Sequence, residues 1–131
     1  ARGAVPWAVF TDPEISWVGE TEAEAKTRGA QVLVGKFPFS ASGRAQAVRE
    51  TEGFCKVVAQ KDSRRIIGAG FVGPNASDLI GEACLAVQLG ATLDQVAATI
   101  HPHPTLNEAF VEACESALGH PLHTPPAGLG R

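Results

Sequence analysis

FCKVVAQKDSRRIIGAGFV, residues 54–72, decides what kind of fold this chain can adopt. Phe54 to Gln60 and Ile66 to Val72 are apolar, β-branched runs, and the polar KDSRR between them reads as a hairpin loop, so the two strands lie antiparallel. Upstream, Val5 to Thr11 reads as a strand closed by Asp12-Pro13, and VLVGKFPF at 32–39 as another, running into an irregular SASGRAQA. Between them Thr21-Glu22-Ala23-Glu24 has capping-box spacing and opens a short helix that stops at Gly29. Downstream the apolar period changes. Leu79, Ile80, Ala83, Cys84 and Val87 recur at three- and four-residue steps, predicting a helix that begins within 75–77 and ends at Gly90. Thr92 and Gln95 make a second capping box, with Leu93, Val96, Ala97 and Ile100 on one face. A last helix is expected from Thr105 to Gly119, turning Leu106, Phe110, Ala113, Cys114, Ala117 and Leu118 inward. Strands first and helices afterwards indicate an α+β fold, an antiparallel sheet covered by helices. The glycines of GAGFVG fall inside a strand rather than at a helix start, so the chain lacks that dinucleotide fingerprint.

The 131 residues are 44% hydrophobic and 19% charged with mixed signs, the balance of a globular domain with one core. A net charge of -3 gives no electrostatic basis for binding nucleic acid or anionic lipid. No apolar run approaches the ~20 residues that span a bilayer. Cys55, Cys84 and Cys114 are odd in number and widely spaced, which favours reduced thiols in a cytoplasmic compartment over a disulfide framework. Cys84 and Cys114 fall on apolar helix faces, where a thiol acts as a small hydrophobe. Methionine is absent and the chain opens abruptly, which reads as a piece of something longer. The expected organisation is one domain over 1–123 and a loose tail over 124–131.

The chemistry-bearing stretch is HPHPTLNEAF, residues 101–110, and three readings compete for it. Thr105-x-x-Glu108 has capping-box spacing: the hydroxyl would accept the N–H of 108 and the carboxylate the N–H of 105, worth ~0.5–2 kcal/mol with no catalysis at all. His101-x-His103 with a nearby acid could ligate zinc or iron. However, His120 and His123 lie beyond the helix end, and no thiol or acid stands at a familiar ligand spacing, so this is the weakest of the three. The third reading is acid–base catalysis, because an imidazole titrates near neutrality and can take and return a proton. The positive end of the helix would discourage an imidazolium there, Glu108 one turn on would favour it, and Pro102 and Pro104 would fix the approach of the ring. Spacing alone leaves these open.

HPHPTLNEAF, VFTDPEISWVGETEAEA, VGKFPFSASGRAQA, TEGFCKVV and RIIGAGFVGPNASDLIGEACLAV, in order along residues 5–123, resemble the C-terminal interface domain of the dihydrolipoamide dehydrogenases, flavin-dependent pyridine nucleotide–disulfide oxidoreductases. The resemblance implies that FAD, NAD and a redox-active disulfide are held by other domains, and that the fragment alone is catalytically silent. It implies a homodimer in which His103 removes a proton from the dihydrolipoyl thiol and Glu108 orients it, both acting on the partner subunit's site. The main chain at His103 and Pro104 would approach the partner's FAD, and the His103–Pro104 bond would be cis. A lipoyl-bearing acyltransferase and the subunit-binding domain of 2-oxo acid dehydrogenase complexes follow as partners, with no nucleic acid and no membrane. His101 belongs to the lipoamide-specific form of the motif but receives no role. The helices at 76–89 and 106–118 are the candidates for the dimer surface. Asp78 departs from the glutamate common in the family. Mercuric reductase relatives carry cysteines near their C-terminus, whereas none follows Cys114, and glutathione-type relatives usually lack the first histidine; both differences favour dihydrolipoamide. The alternatives are a non-catalytic dimerisation or docking module with a structural His and Glu, or another disulfide reductase of the family.

Overall fold

A computed structural model describes residues 4–120; the expected tail, His123 and the boundary at 123 lie outside the described residues. The hairpin forms as read: β4 (Phe54–Gln60) and β5 (Ile66–Val72) pair antiparallel, with Cys55 opposite Phe71 and Val57 opposite Ala69. β3 (Val32–Pro38) adds on one side, and β1 (Trp7–Val9) and β2 (Ile15–Gly19) on the other, giving an all-antiparallel order β1-β2-β5-β4-β3. This is the expected α+β sheet. β1 is shorter than the run from Val5 to Thr11 suggested.

β2 was not anticipated. Its inward positions are Ser16 and Val18, so a polar residue interrupts the apolar alternation that marks a strand. Ser16 is buried because its hydroxyl donates to the Ala76 carbonyl at 2.7 Å, which satisfies it. SASGRAQA is likewise not irregular: a 3₁₀ turn at Phe39–Ala41 leads into α2 (Gly43–Ala47), and the Ser42 hydroxyl accepts the Ala45 N–H as its N-cap.

Phe37, Cys55, Val57, Ala69 and Phe71 face one side of the sheet and build the core with α3 (Ala76–Leu89) and α5 (Glu108–Leu118). α3 lies on β5 and β2, while α5 lies on β3 and β4 and is backed by α4 (Leu93–Ala97). Phe71 and Phe110 meet with ring centroids 6.4 Å apart. α5 reaches the sheet this closely because Gly35 has no side chain; a Cβ there would run into the Ala113 carbonyl and the Ala117 backbone. Two boundaries move from expectation. The last helix begins at Glu108, since residues 106–107 form a turn, and Ile100 is 96% exposed because α4 ends at Ala97, before Ile100 can join its buried face.

The opposite face of the sheet is mixed, carrying Lys36 and Lys56 beside Phe54 and the buried Val58. Glu22 on α1 (Glu22–Thr27) pairs with Lys26 at 2.6 Å and Lys56 at 2.8 Å, and these hydrogen bonds hold its carboxyl down at about 2. The two capping boxes, at Thr21 and Thr92, are both formed. α3 is capped differently: Asn75 supplies no side-chain bond, and the Glu14 carboxylate accepts the Ser77 N–H at 3.1 Å and the Ser77 hydroxyl at 3.0 Å. The Thr-Asp-Pro-Glu segment therefore pins the start of α3 to the sheet edge.

Because α5 cannot approach β3 once a side chain is present, Gly35→Ala should lower the denaturation midpoint by ~1–3 kcal/mol of stability, the usual cost of overpacking. An unchanged midpoint would show that α5 can shift without loss.

Candidate functional site

HPHPT crosses from the end of α4 to the start of α5, and side-chain contacts at His101, His103 and Thr105 tie it down. The His103 Nδ1 lies 2.8 Å from Glu108 Oε1, while the second Glu108 oxygen accepts the Thr105 N–H at 2.8 Å. The Thr105 hydroxyl donates to the Pro102 carbonyl at 2.9 Å rather than accepting the N–H of 108, so only half of the expected capping box is made. One oxygen of Glu108 thus holds the ring and the other the loop backbone ahead of the helix. The two structural and catalytic readings of that residue use different oxygens.

The ring contact fixes the chemistry of His103. A carboxylate only accepts, so the neutral ring carries its proton on Nδ1 and presents Nε2 as a bare lone pair. The side chain is 71% exposed, which leaves that lone pair open to a molecule from outside the protomer. The His103–Pro104 bond is cis, as the resemblance implies; Asp12–Pro13 is cis as well. Beside the ring, Phe37, Ala41, Ser42, Gly43 and Gln46 complete a groove of about 250 Å³ with His103 and Glu108. The segment after β3, which looked irregular in sequence, is therefore one wall of this groove.

His101 is the residue whose role sequence reasoning could not supply. Its Nε2 lies 2.6 Å from Glu82 Oε1 on α3, and its Nδ1 2.8 Å from the Thr99 carbonyl. Burial works against the charged ring. The Glu82 hydrogen bond, the Thr99 carbonyl and the charges of Glu82 and Glu108 outweigh it, so the ring holds its proton above the ordinary histidine range. Nothing in the spacing of residues 82 and 101 announces this contact. His120 is elsewhere, 3.3 Å from Glu115. Cys55 and Cys114 are buried, and desolvation pushes both thiols up, away from the reactive thiolate. Among the described residues no group of three or more His, Cys, Asp or Glu side chains is placed to hold a metal ion, and no helix is long and apolar enough to cross a membrane.

Residues 5–114 match the family pattern of the pyridine nucleotide-disulphide oxidoreductase dimerisation domain. The chain belongs to that family. It is 56% identical over 121 residues to the dihydrolipoyl dehydrogenase of Halobacterium salinarum, covering 92% of this chain and 26% of that relative. The Geobacillus stearothermophilus dihydrolipoyl dehydrogenase is 52% identical over 120 residues, again 92% of this chain and 26% of the relative. The chain thus spans about a quarter of the length of these relatives. Among solved structures, LpdA from Mycobacterium tuberculosis superposes with a TM-score of 0.80 at 30% identity, over 85% of this chain and 24% of that one. The HOCl-induced flavoprotein disulfide reductase RclA from Escherichia coli gives 0.82 at 27% identity, over 87% of this chain and 26% of that one. The resemblance to a dihydrolipoamide dehydrogenase dimerisation domain therefore holds in sequence, and the fold is that of the interface domain of flavin disulfide reductases.

The folded His101 ring binds its proton more tightly than the unfolded one, so its contribution to stability is complete below 6.5 and is lost as pH rises through the raised folded value. Denaturation midpoints should fall over that window, and Glu82→Gln should flatten the slope. An equal slope in the variant would assign the pH dependence to other groups.

Proposed function

We propose that this chain is the C-terminal dimerisation domain, over 1–123 with a tail at 124–131, of a dihydrolipoamide dehydrogenase that converts dihydrolipoamide and NAD+ to lipoamide and NADH. Its part in catalysis is to lend His103 and Glu108 to the disulfide and FAD site of the partner subunit. The observation that carries this is the exposed Nε2 of a ring whose Nδ1 is anchored on Glu108 at 2.8 Å. A base so oriented takes the proton of a dihydrolipoyl thiol. The thiolate forms a bond to one sulfur of the partner's disulfide and expels the other as thiolate. The second dihydrolipoyl thiol then displaces the mixed disulfide, leaving lipoamide and a reduced dithiol. Glu108 stabilises the imidazolium formed in the first step.

FAD and NAD, held by domains outside this chain, would carry the electron pair onward. The main chain at His103 and Pro104 fits a place beside the partner's FAD, since both residues sit exposed on the loop. For the pairing itself, α3 is the better of the two candidate helices. Leu85 and Leu89 stand exposed on its outer face, with Ile100 close by in sequence to the loop that carries His103. The apolar residues of α5 are instead spent on the protomer's own core. The three free cysteines suit a reducing, cytoplasmic setting. Docking to a lipoyl-bearing acyltransferase and the subunit-binding domain of a 2-oxo acid dehydrogenase complex belongs to the same reading.

In a full-length chain carrying this domain, His103→Gln should cut lipoamide turnover by ~10²–10⁴-fold while flavin content and the dimer persist. Near-normal turnover would instead favour a docking module with a structural histidine. Glu108→Gln should reduce turnover less and move the pH–rate profile; a pure cap would lower stability and leave the profile in place.

Replacing Leu85 and Leu89 together by glutamate should convert dimer to monomer in sedimentation, since an apolar seam cannot bury unpaired charge. A double variant that stays dimeric would move the seam off α3.

A further inference from the structure

The loop that carries His103 is short of ways to hold itself still. Pro102 and Pro104 have no N–H to donate, and residues 98–104 lie outside any helix or strand except the C-cap at Ala98. His103 hangs between two fixed points: the Thr105–Glu108 pair on α5, and His101, whose side chain is only 10% exposed against α3.

A neutral imidazole has one N–H, yet the His101 ring faces two acceptors, the Thr99 carbonyl at 2.8 Å and the Glu82 carboxylate at 2.6 Å. Both contacts are satisfied only when both nitrogens carry protons. Thr99 is itself tied down, its hydroxyl donating to the Gln95 carbonyl at 2.8 Å at the end of α4. The ring therefore joins the end of α4 to the middle of α3, two residues before His103.

We infer that His101, as an imidazolium clamped between Glu82 and the Thr99 carbonyl, is a positioning residue for His103; this rests on the proposed role of His103 as the base. The charged groups around it are Glu82 from α3 and Glu108 from α5, the same Glu108 that holds His103. Its two contacts fix the loop in register with α3, two residues before the ring that Glu108 holds.

The test uses the full-length, flavin-loaded dimer. His101→Gln and Glu82→Gln should each lower kcat for dihydrolipoamide roughly ten- to a hundredfold, as a misplaced catalytic group does, with KM little changed. Wild-type kcat in both variants overturns the inference, as does lower thermal stability with normal kcat per bound flavin. Nitrogen NMR of the unmutated dimer stands whether or not the variants fold: two protonated ring nitrogens at His101 near neutral pH are expected, and one bare nitrogen overturns the assignment. An active His103→Gln enzyme would sink the base itself; wild-type kinetics in the His101 and Glu82 variants beside an inactive His103→Gln would sink the positioning role alone.

Discussion

The two oxygens of one carboxylate organise this domain's chemistry. Glu108 holds the His103 ring with one and the Thr105 N–H with the other, both at 2.8 Å. The first contact selects the tautomer and frees Nε2; the second fixes the carboxylate against the loop backbone just ahead of its own helix, so the group holding the ring does not drift. A ring on a loop gains its precision from such supports, because the loop has no ladder of its own.

The sheet exists to hold that helix still. Ala109, Phe110, Ala113 and Cys114 bury one stripe of α5 on β3 and β4, and the bare backbone at Gly35 lets the helix sit close. On the other half, α3 is pinned to the sheet by Glu14 and Ser16, so the surface that presents Leu85 and Leu89 is held by hydrogen bonds reaching across the fold. α3 also presents Glu82 to His101. The site thus rests on both covering helices, and the loop between them is spanned by a charged ring at one end and a shared carboxylate at the other.

Most of the fold was legible in the sequence because it is written in local terms. The hairpin, the two capping boxes and the stops at Gly29, Gly90 and Gly119 each need only a few neighbouring residues, and each is where the pattern put it. The failures have separate causes. β2 was missed because Ser16 at a core position is acceptable only given a carbonyl 60 residues away, and α2 because its cap is a serine in a run of small residues. Ile100 was misplaced because periodicity continued past the point where α4 ends.

The sequence by itself determined the α+β class, the antiparallel hairpin and the apolar faces of α3 and α5; spacing left the part played by His103 and Glu108 open, and only the family resemblance implied that they pair. Only the tertiary structure decided which oxygen of Glu108 serves which partner, that His101 is gripped by Glu82, and that the segment after β3 walls the groove beside His103. The last two join elements distant along the chain. Their geometry depends on how the helices settle on the sheet, which no local spacing encodes.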